Sequence, residues 1–93
     1  MFYERRMRSL AAVMKEADTM DADAGIRMSG RYAGRRCYAF VTRFGKRYTM
    51  MVYEKGKGGA VGKRLASEEV GDLAGLKALL ARIADGRVEA FAY

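Results

Sequence analysis

The first part of the chain carries an apolar pattern with the period of an α-helix. Between residues 3 and 18, apolar side chains recur at alternating steps of four and three, a spacing that places them on one side of a helix. The stripe consists of Tyr3, Met7, Leu10, Met14 and Ala17. The Asp- and Gly-containing segment at 21–25 favours a turn. The pattern therefore predicts one amphipathic helix over 3–18, followed by a break.

After this break the apolar period changes to two, which is typical of β-strands. Ile26, Met28 and Tyr32 alternate with polar or small residues. This alternation predicts an edge strand that Gly30 interrupts. The segment AGRR at 33–36 is predicted to form a turn, because its Gly tolerates turn conformations.

The strongest strand signal is a pair of β-rich runs, CYAFVTRF and RYTMMVYE, which begin at Cys37 and Arg47. Gly45 and Lys46 separate the two runs. A Gly at the first of two loop positions supplies the positive φ that a type II′ hairpin turn requires. The turn fixes the register of the hairpin. In this register Arg43 pairs with Tyr48, Val41 with Met50, and Ala39 with Val52.

Beyond the hairpin, the chain predicts a Gly-rich connection at 56–62 and a short strand at 63–66. Ser67 is a candidate helix cap, because acidic residues follow it in what would be the positive first turn of a helix. Gly71 and Gly75 weaken that turn and favour a start near Asp72.

The last apolar stripe predicts a second amphipathic helix. Its apolar residues are Leu73, Leu76, Leu80 and Ile83, and Gly86 ends the pattern. Residues 87–93 then alternate as a possible short last strand. We therefore expect one α+β domain over residues 1–93. It would contain an N-terminal helix, an antiparallel β-meander of three to four strands, a C-terminal amphipathic helix and that last strand.

Composition narrows the classes of function. The 93-residue chain has no His and one Cys, so neither a His-based catalytic site nor a usual four-ligand zinc site can form within one copy. No apolar run is long enough to span a membrane, and the N-terminus lacks the pattern of a secretory signal. We expect a non-enzymatic cytoplasmic domain that uses no cofactor and no metal.

Positive charge is concentrated on the hairpin and on the segment that follows it. The net charge is +7, and residues 35–64 alone hold nine basic side chains and one acidic side chain. Such clustering attracts polyanions. The glycines of GKGGAVGKR at 56–64 do not form the phosphate-binding loop of nucleotide-binding proteins, because the pattern G-x-x-x-x-G-K-[ST] is absent.

The predicted register divides the side chains of the hairpin between two faces. One face carries Cys37, Ala39, Val41, Met50 and Val52. The other face carries Tyr38, Phe40, Thr42, Phe44, Arg47, Thr49, Met51 and Tyr53. If the helices cover the first face, the second becomes an aromatic surface with a basic rim, as single-stranded nucleic acid requires. Periodicity is equally compatible with the aromatic residues forming the core.

The charge and the aromatic residues together predict binding of DNA or RNA, directed mainly at the backbone. Tyr38, Phe40 and Tyr53 would stack on bases. Phosphates would contact Arg35, Arg36, Arg43, Lys46, Arg47, Lys55, Lys57, Lys63 and Arg64.

The alternative is a small inhibitor or adaptor, such as a phage-type inhibitor of a nuclease or defence complex. It would dock on an acidic protein surface through the same basic aromatic face. A homodimer formed through an uncovered sheet face or a strand edge is compatible with either hypothesis.

Overall fold

In the computed structural model, which describes residues 5–93, an antiparallel sheet of six strands carries two α-helices. The strands are β1 (Arg5–Met7), β2 (Gly25–Tyr32), β3 (Arg35–Phe44), β4 (Arg47–Lys55), β5 (Val61–Val70) and β6 (Glu89–Ala92). The helices are α1 (Leu10–Thr19) and α2 (Leu73–Ile83), and a short 3-10 helix covers Lys57–Gly59. The strand order is β1-β6-β2-β3-β4-β5. The predicted α+β class is confirmed, including the N-terminal helix, the C-terminal helix and the last strand.

Helix α1 is shorter than the apolar stripe predicts. It begins after Ser9, whose hydroxyl accepts a hydrogen bond from the backbone N–H of Ala12 at 3.1 Å. The segment Arg5–Met7 forms β1, which pairs with β6. Met7 is buried as part of that strand, so the prediction of a helix there was wrong. Residues 3 and 4 of the predicted helix lie outside the described residues.

Strand β2 lies inside the sheet, between β6 and β3, so the prediction of an edge strand was wrong. Gly30 does not interrupt it. A Cβ atom at this position would lie 2.3 Å from the carbonyl oxygen of Ile83, so Gly30 allows α2 to approach the strand closely. The following turn consists of Ala33 and Gly34, whose φ angles are 51° and 79°, and Arg35 already belongs to β3.

The β3–β4 hairpin has the predicted register. Arg43 pairs with Tyr48, Val41 with Met50, and Ala39 with Val52. Gly45 has a φ of 63°, as the first position of a type II′ turn requires, and Lys46 has no positive φ. This part of the fold is determined locally, because two loop residues set the pairing of both strands.

Strand β5 is longer than predicted and includes Ser67, which is paired with Met51 of β4 and therefore caps no helix. Helix α2 is instead capped by Asp72, whose Oδ1 accepts a hydrogen bond from the N–H of Gly75 at 2.8 Å. The predicted start near Asp72 is therefore confirmed. Pairing with β4 accounts for Glu69 as well, which lies opposite Thr49.

Helices α1 and α2 contact each other and cover the same face of the sheet. They bury Val13 and Ala17 from α1 and four apolar residues from α2, namely Leu76, Leu79, Leu80 and Ile83. The sheet contributes Ile26, Met28, Cys37, Ala39, Val41, Met50, Val52, Ala90 and Ala92 to this core. Of the two alternatives for the hairpin, the face that carries Cys37 is therefore the buried one. Over residues 5–93, neither helix has the length and apolar character that crossing a bilayer requires.

Candidate nucleic-acid interface

The face of the sheet opposite the helices, called the open face below, carries the aromatic residues of the hairpin. Tyr38 and Phe40 alternate along β3 with the fully buried Cys37 and Ala39, so they point away from the helices. Tyr53 lies directly opposite Tyr38 on β4 and shares its face. All three rings are half-buried, and both α-helices lie on the other side.

The three rings form one cluster. The centroids of Tyr38 and Phe40 are 6.2 Å apart with an interplanar angle of 57°, and those of Phe40 and Tyr53 are 5.6 Å apart at 84°. Such edge-to-face contacts are favourable for aromatic quadrupoles. The hydroxyl of Tyr38 donates a hydrogen bond to the carbonyl oxygen of Gly59 at 2.6 Å, which holds the 3-10 helix against the cluster. The rings are therefore fixed in orientation before any partner arrives.

Two cations lie against this cluster. The guanidinium Cζ of Arg27 is 6.0 Å from the Tyr38 centroid and 5.0 Å from that of Phe91, and Lys55 Nζ is 5.4 Å from the Tyr38 centroid. Arg27 and Phe91 share the open face because Arg27 pairs with both Phe40 and Phe91. Sequence reasoning missed both residues as part of the site. Alternation at 87–93 indicated a strand there, but not its neighbour in the sheet.

Most of the predicted phosphate-binding residues are exposed around the cluster. Arg36 and Arg47 lie an even number of positions from Tyr38 on β3 and Tyr53 on β4, so they share the open face with these rings. Arg64 lies opposite Tyr53. Lys46 is exposed in the hairpin turn, and Lys57 and Lys63 are exposed on the 3-10 helix and β5. The structure therefore brings Arg36, Arg47, Lys55 and Arg64 to the same face as the rings.

Two of the predicted phosphate-binding residues are engaged elsewhere. The guanidinium of Arg43 donates hydrogen bonds to the carbonyl oxygens of Asp18 and Met20 at 3.0 and 3.3 Å, at the C-terminal end of α1. Positive charge at this end is favourable for the helix dipole. Arg35 is paired with Glu54 at 2.8 Å. Both alternate with the open-face residues along β3, so they lie on the opposite side of the sheet from the rings.

Phe44 is the most exposed of the large apolar side chains among residues 5–93, at 82%. It lies next to the β3–β4 turn, opposite Arg47, on the open face. The predicted hairpin register also puts Phe44 on this face, but Phe44 is not among the residues predicted to contact nucleic acid. Its exposure offers a whole ring to a partner, whereas the three clustered rings offer parts of theirs.

Among residues 5–93, acidic side chains are few on the open face. Glu69 lies opposite Thr49, and Glu89 lies opposite Ser29 with its carboxylate 2.8 Å from a guanidinium nitrogen of Arg6. The described residues therefore give this face an excess of positive charge. On the other face, burial raises the pKa of the Cys37 thiol, so this side chain is a neutral part of the core.

Comparison with known protein families, curated proteins and solved structures finds no match for the chain. The site is therefore interpreted from its own geometry: a cluster of aromatic rings, cations against those rings, and further exposed bases on the same side of the sheet.

Proposed function

We propose that the protein binds single-stranded nucleic acid, without catalysis, on the open face of the sheet. The observation that carries this proposal is the cluster of Tyr38, Phe40 and Tyr53, which both helices leave uncovered and against which Arg27 and Lys55 lie. Unpaired bases stack on aromatic rings, and each stacked base contributes about 1–3 kcal/mol. Two or three such contacts support a useful affinity.

The cations against the rings have a second role in this proposal. A base that stacks on Tyr38 would displace Lys55 or Arg27 from the ring and leave the cation beside the phosphates of the strand. Stacking and charge neutralisation would then occur at the same place. Phe44 and Arg47, paired at the hairpin end, repeat this combination of ring and cation.

Fluorescence anisotropy with a labelled single-stranded oligonucleotide tests the proposal. If about four basic side chains of the protein contact phosphates, the logarithm of the association constant falls linearly with log[salt], with a slope of about −3. Arg47→Gln removes one phosphate contact and should reduce the magnitude of this slope by about 0.7. Phe44→Ala should weaken binding and leave the slope unchanged, because the ring carries no charge. Lys77→Gln, on the exposed side of α2, is the control, because it removes the same single positive charge as Arg47→Gln but away from the open face. Absence of binding at low salt contradicts the proposal.

A protein partner with an acidic surface is the second candidate. The 82% exposure of Phe44 favours it, because an exposed aromatic ring beside an Arg is typical of the anchors in protein interfaces. A complex that survives nuclease treatment and is lost in Phe44→Ala would support this function. If the protein also fails to bind oligonucleotides, this second function replaces the first.

A further inference from the structure

A small cavity lies at the end of the sheet where β2, β3 and β4 meet the segment that follows α2. Its volume is about 150 Å³. This is below the roughly 300–1,000 Å³ of sites for drug-sized ligands and several times the roughly 30 Å³ that one water occupies. The cavity therefore suits one small polar group. Its lining includes Ser29, Gly30, Arg36, Lys55, Asp85 and Arg87.

The charge of the lining is positive. Three side chains are basic, and the one carboxylate, Asp85, already accepts a hydrogen bond from Nε of Arg31 at 2.6 Å. Arg36 and Arg87 enter no ion pair within the described part of the chain, residues 5–93. The hydroxyl of Ser29 adds an uncharged donor. Asp85 is shared with Arg31 and is outnumbered by the three basic side chains of the lining, so the cavity favours an anion.

We propose that this cavity binds a phosphate group in its doubly charged form, as in inorganic phosphate or a phosphate monoester. Guanidinium groups match phosphate oxygens with two parallel hydrogen bonds, and Lys contributes a point charge. A phosphodiester within a nucleic-acid strand carries one charge and two substituents. It therefore matches the three basic side chains and the small volume of the cavity less well.

The position of the cavity relates it to the aromatic cluster. Lys55 lines the cavity while its Nζ lies 5.4 Å from the Tyr38 centroid, and Ser29 pairs with Tyr38 across β2 and β3. A phosphate in the cavity would therefore lie next to a base on Tyr38, as the terminal phosphate of a strand would. Inorganic phosphate can occupy the cavity without any nucleic acid, so this proposal does not depend on the proposed function.

Titration with inorganic phosphate at constant ionic strength, followed by the backbone amide signals of Gly30 and Arg87, tests the cavity. We expect saturable shifts in the original protein. Arg36→Gln and Arg87→Gln should each weaken binding about tenfold, because each removes hydrogen bonds to a charged group. Both side chains are exposed, so the fold should be retained. Lys77→Gln, which removes one charge from α2, should leave the affinity unchanged. Shifts that do not saturate, or equal affinities in all variants, overturn the proposal.

Two oligonucleotides of one sequence, with and without a terminal phosphate, then distinguish the source of the group. Tighter binding of the phosphorylated strand, lost in Arg87→Gln, assigns the cavity to strand ends. Equal binding of both strands, with inorganic phosphate still saturating the cavity, assigns it to free phosphate. If neither oligonucleotide binds but inorganic phosphate does, the proposed function fails and the cavity proposal is retained.

Discussion

Ala33 is the one non-glycine residue with a positive φ among residues 5–93, at 51°. The left-handed conformation costs an L-residue about 1 kcal/mol, and Asn adopts it more readily at the first position of a type I′ turn. We expect Ala33→Asn to raise the free energy of unfolding by about 0.5–1 kcal/mol, measured by denaturant titration. Ala33→Val is the contrasting variant, since a β-branched side chain resists this φ. Equal stability of Asn, Ala and Val at this position would contradict the assignment of strain.

Gly30 supports a second prediction at the scale of one residue. A methyl group there would meet backbone atoms of Ile83, so Gly30→Ala should lower the free energy of unfolding by about 2 kcal/mol or more. Gly71→Ala is the matched control, because no heavy atom lies within 4 Å of its added Cβ. Thermal unfolding followed by circular dichroism compares the two variants. A Gly30→Ala protein as stable as its control would mean that α2 does not pack this closely on β2.

At the scale of elements, the β3–β4 hairpin carries two arginines with different roles: Arg43 stabilises the fold, and Arg47 is proposed to bind nucleic acid. Arg43→Gln removes bonds to the C-terminal carbonyls of α1 and should cost about 1–2 kcal/mol of stability. Arg47→Gln lies on the open face and should change stability by less than about 0.5 kcal/mol while weakening oligonucleotide binding. Denaturant titration and anisotropy on both variants test this contrast. A loss of stability in Arg47→Gln, or weaker oligonucleotide binding by a fully stable Arg43→Gln, would contradict these roles.

Local and distant pairing explain which elements the sequence predicts. Gly45 and Lys46 determine the β3–β4 register, and with it the shared face of Tyr38 and Tyr53, within a few residues of chain. Strand β1 escaped prediction because its partner β6 lies at the other end of the chain. Its three residues carry no β period of their own, and Met7 fits a helical stripe equally well.

The same distinction applies to the candidate site. Tyr38, Phe40 and Tyr53 follow from alternation, whereas Arg27 and Phe91 meet only through the pairing of β2 with β6. Arg43 was predicted to bind phosphate from its type and position in the sequence. Its contact with the end of α1 depends on how the helix packs, which periodicity does not specify.

At the scale of the whole molecule, β6 joins β1 to β2 and makes one sheet of them. It buries Ala90 and Ala92, and the backbone groups of Tyr93 and Gly25 exchange two hydrogen bonds of 2.9 Å. We expect a chain that ends at residue 86 to lose cooperative unfolding, observed by circular dichroism on heating. A chain that lacks only Tyr93 should keep it. A cooperative transition in the shorter chain would mean that the remaining sheet is stable alone.

The inner position of β6 also has a consequence for synthesis. A ribosome makes β6 after the other five strands, yet the sheet needs it between β1 and β2, which are made much earlier. The contact between Arg27 and Phe91 therefore cannot form before β6 has emerged, and the surface proposed to bind nucleic acid is incomplete until then. Before β6 emerges, a growing chain would thus lack its finished binding surface while messenger and ribosomal RNA surround it.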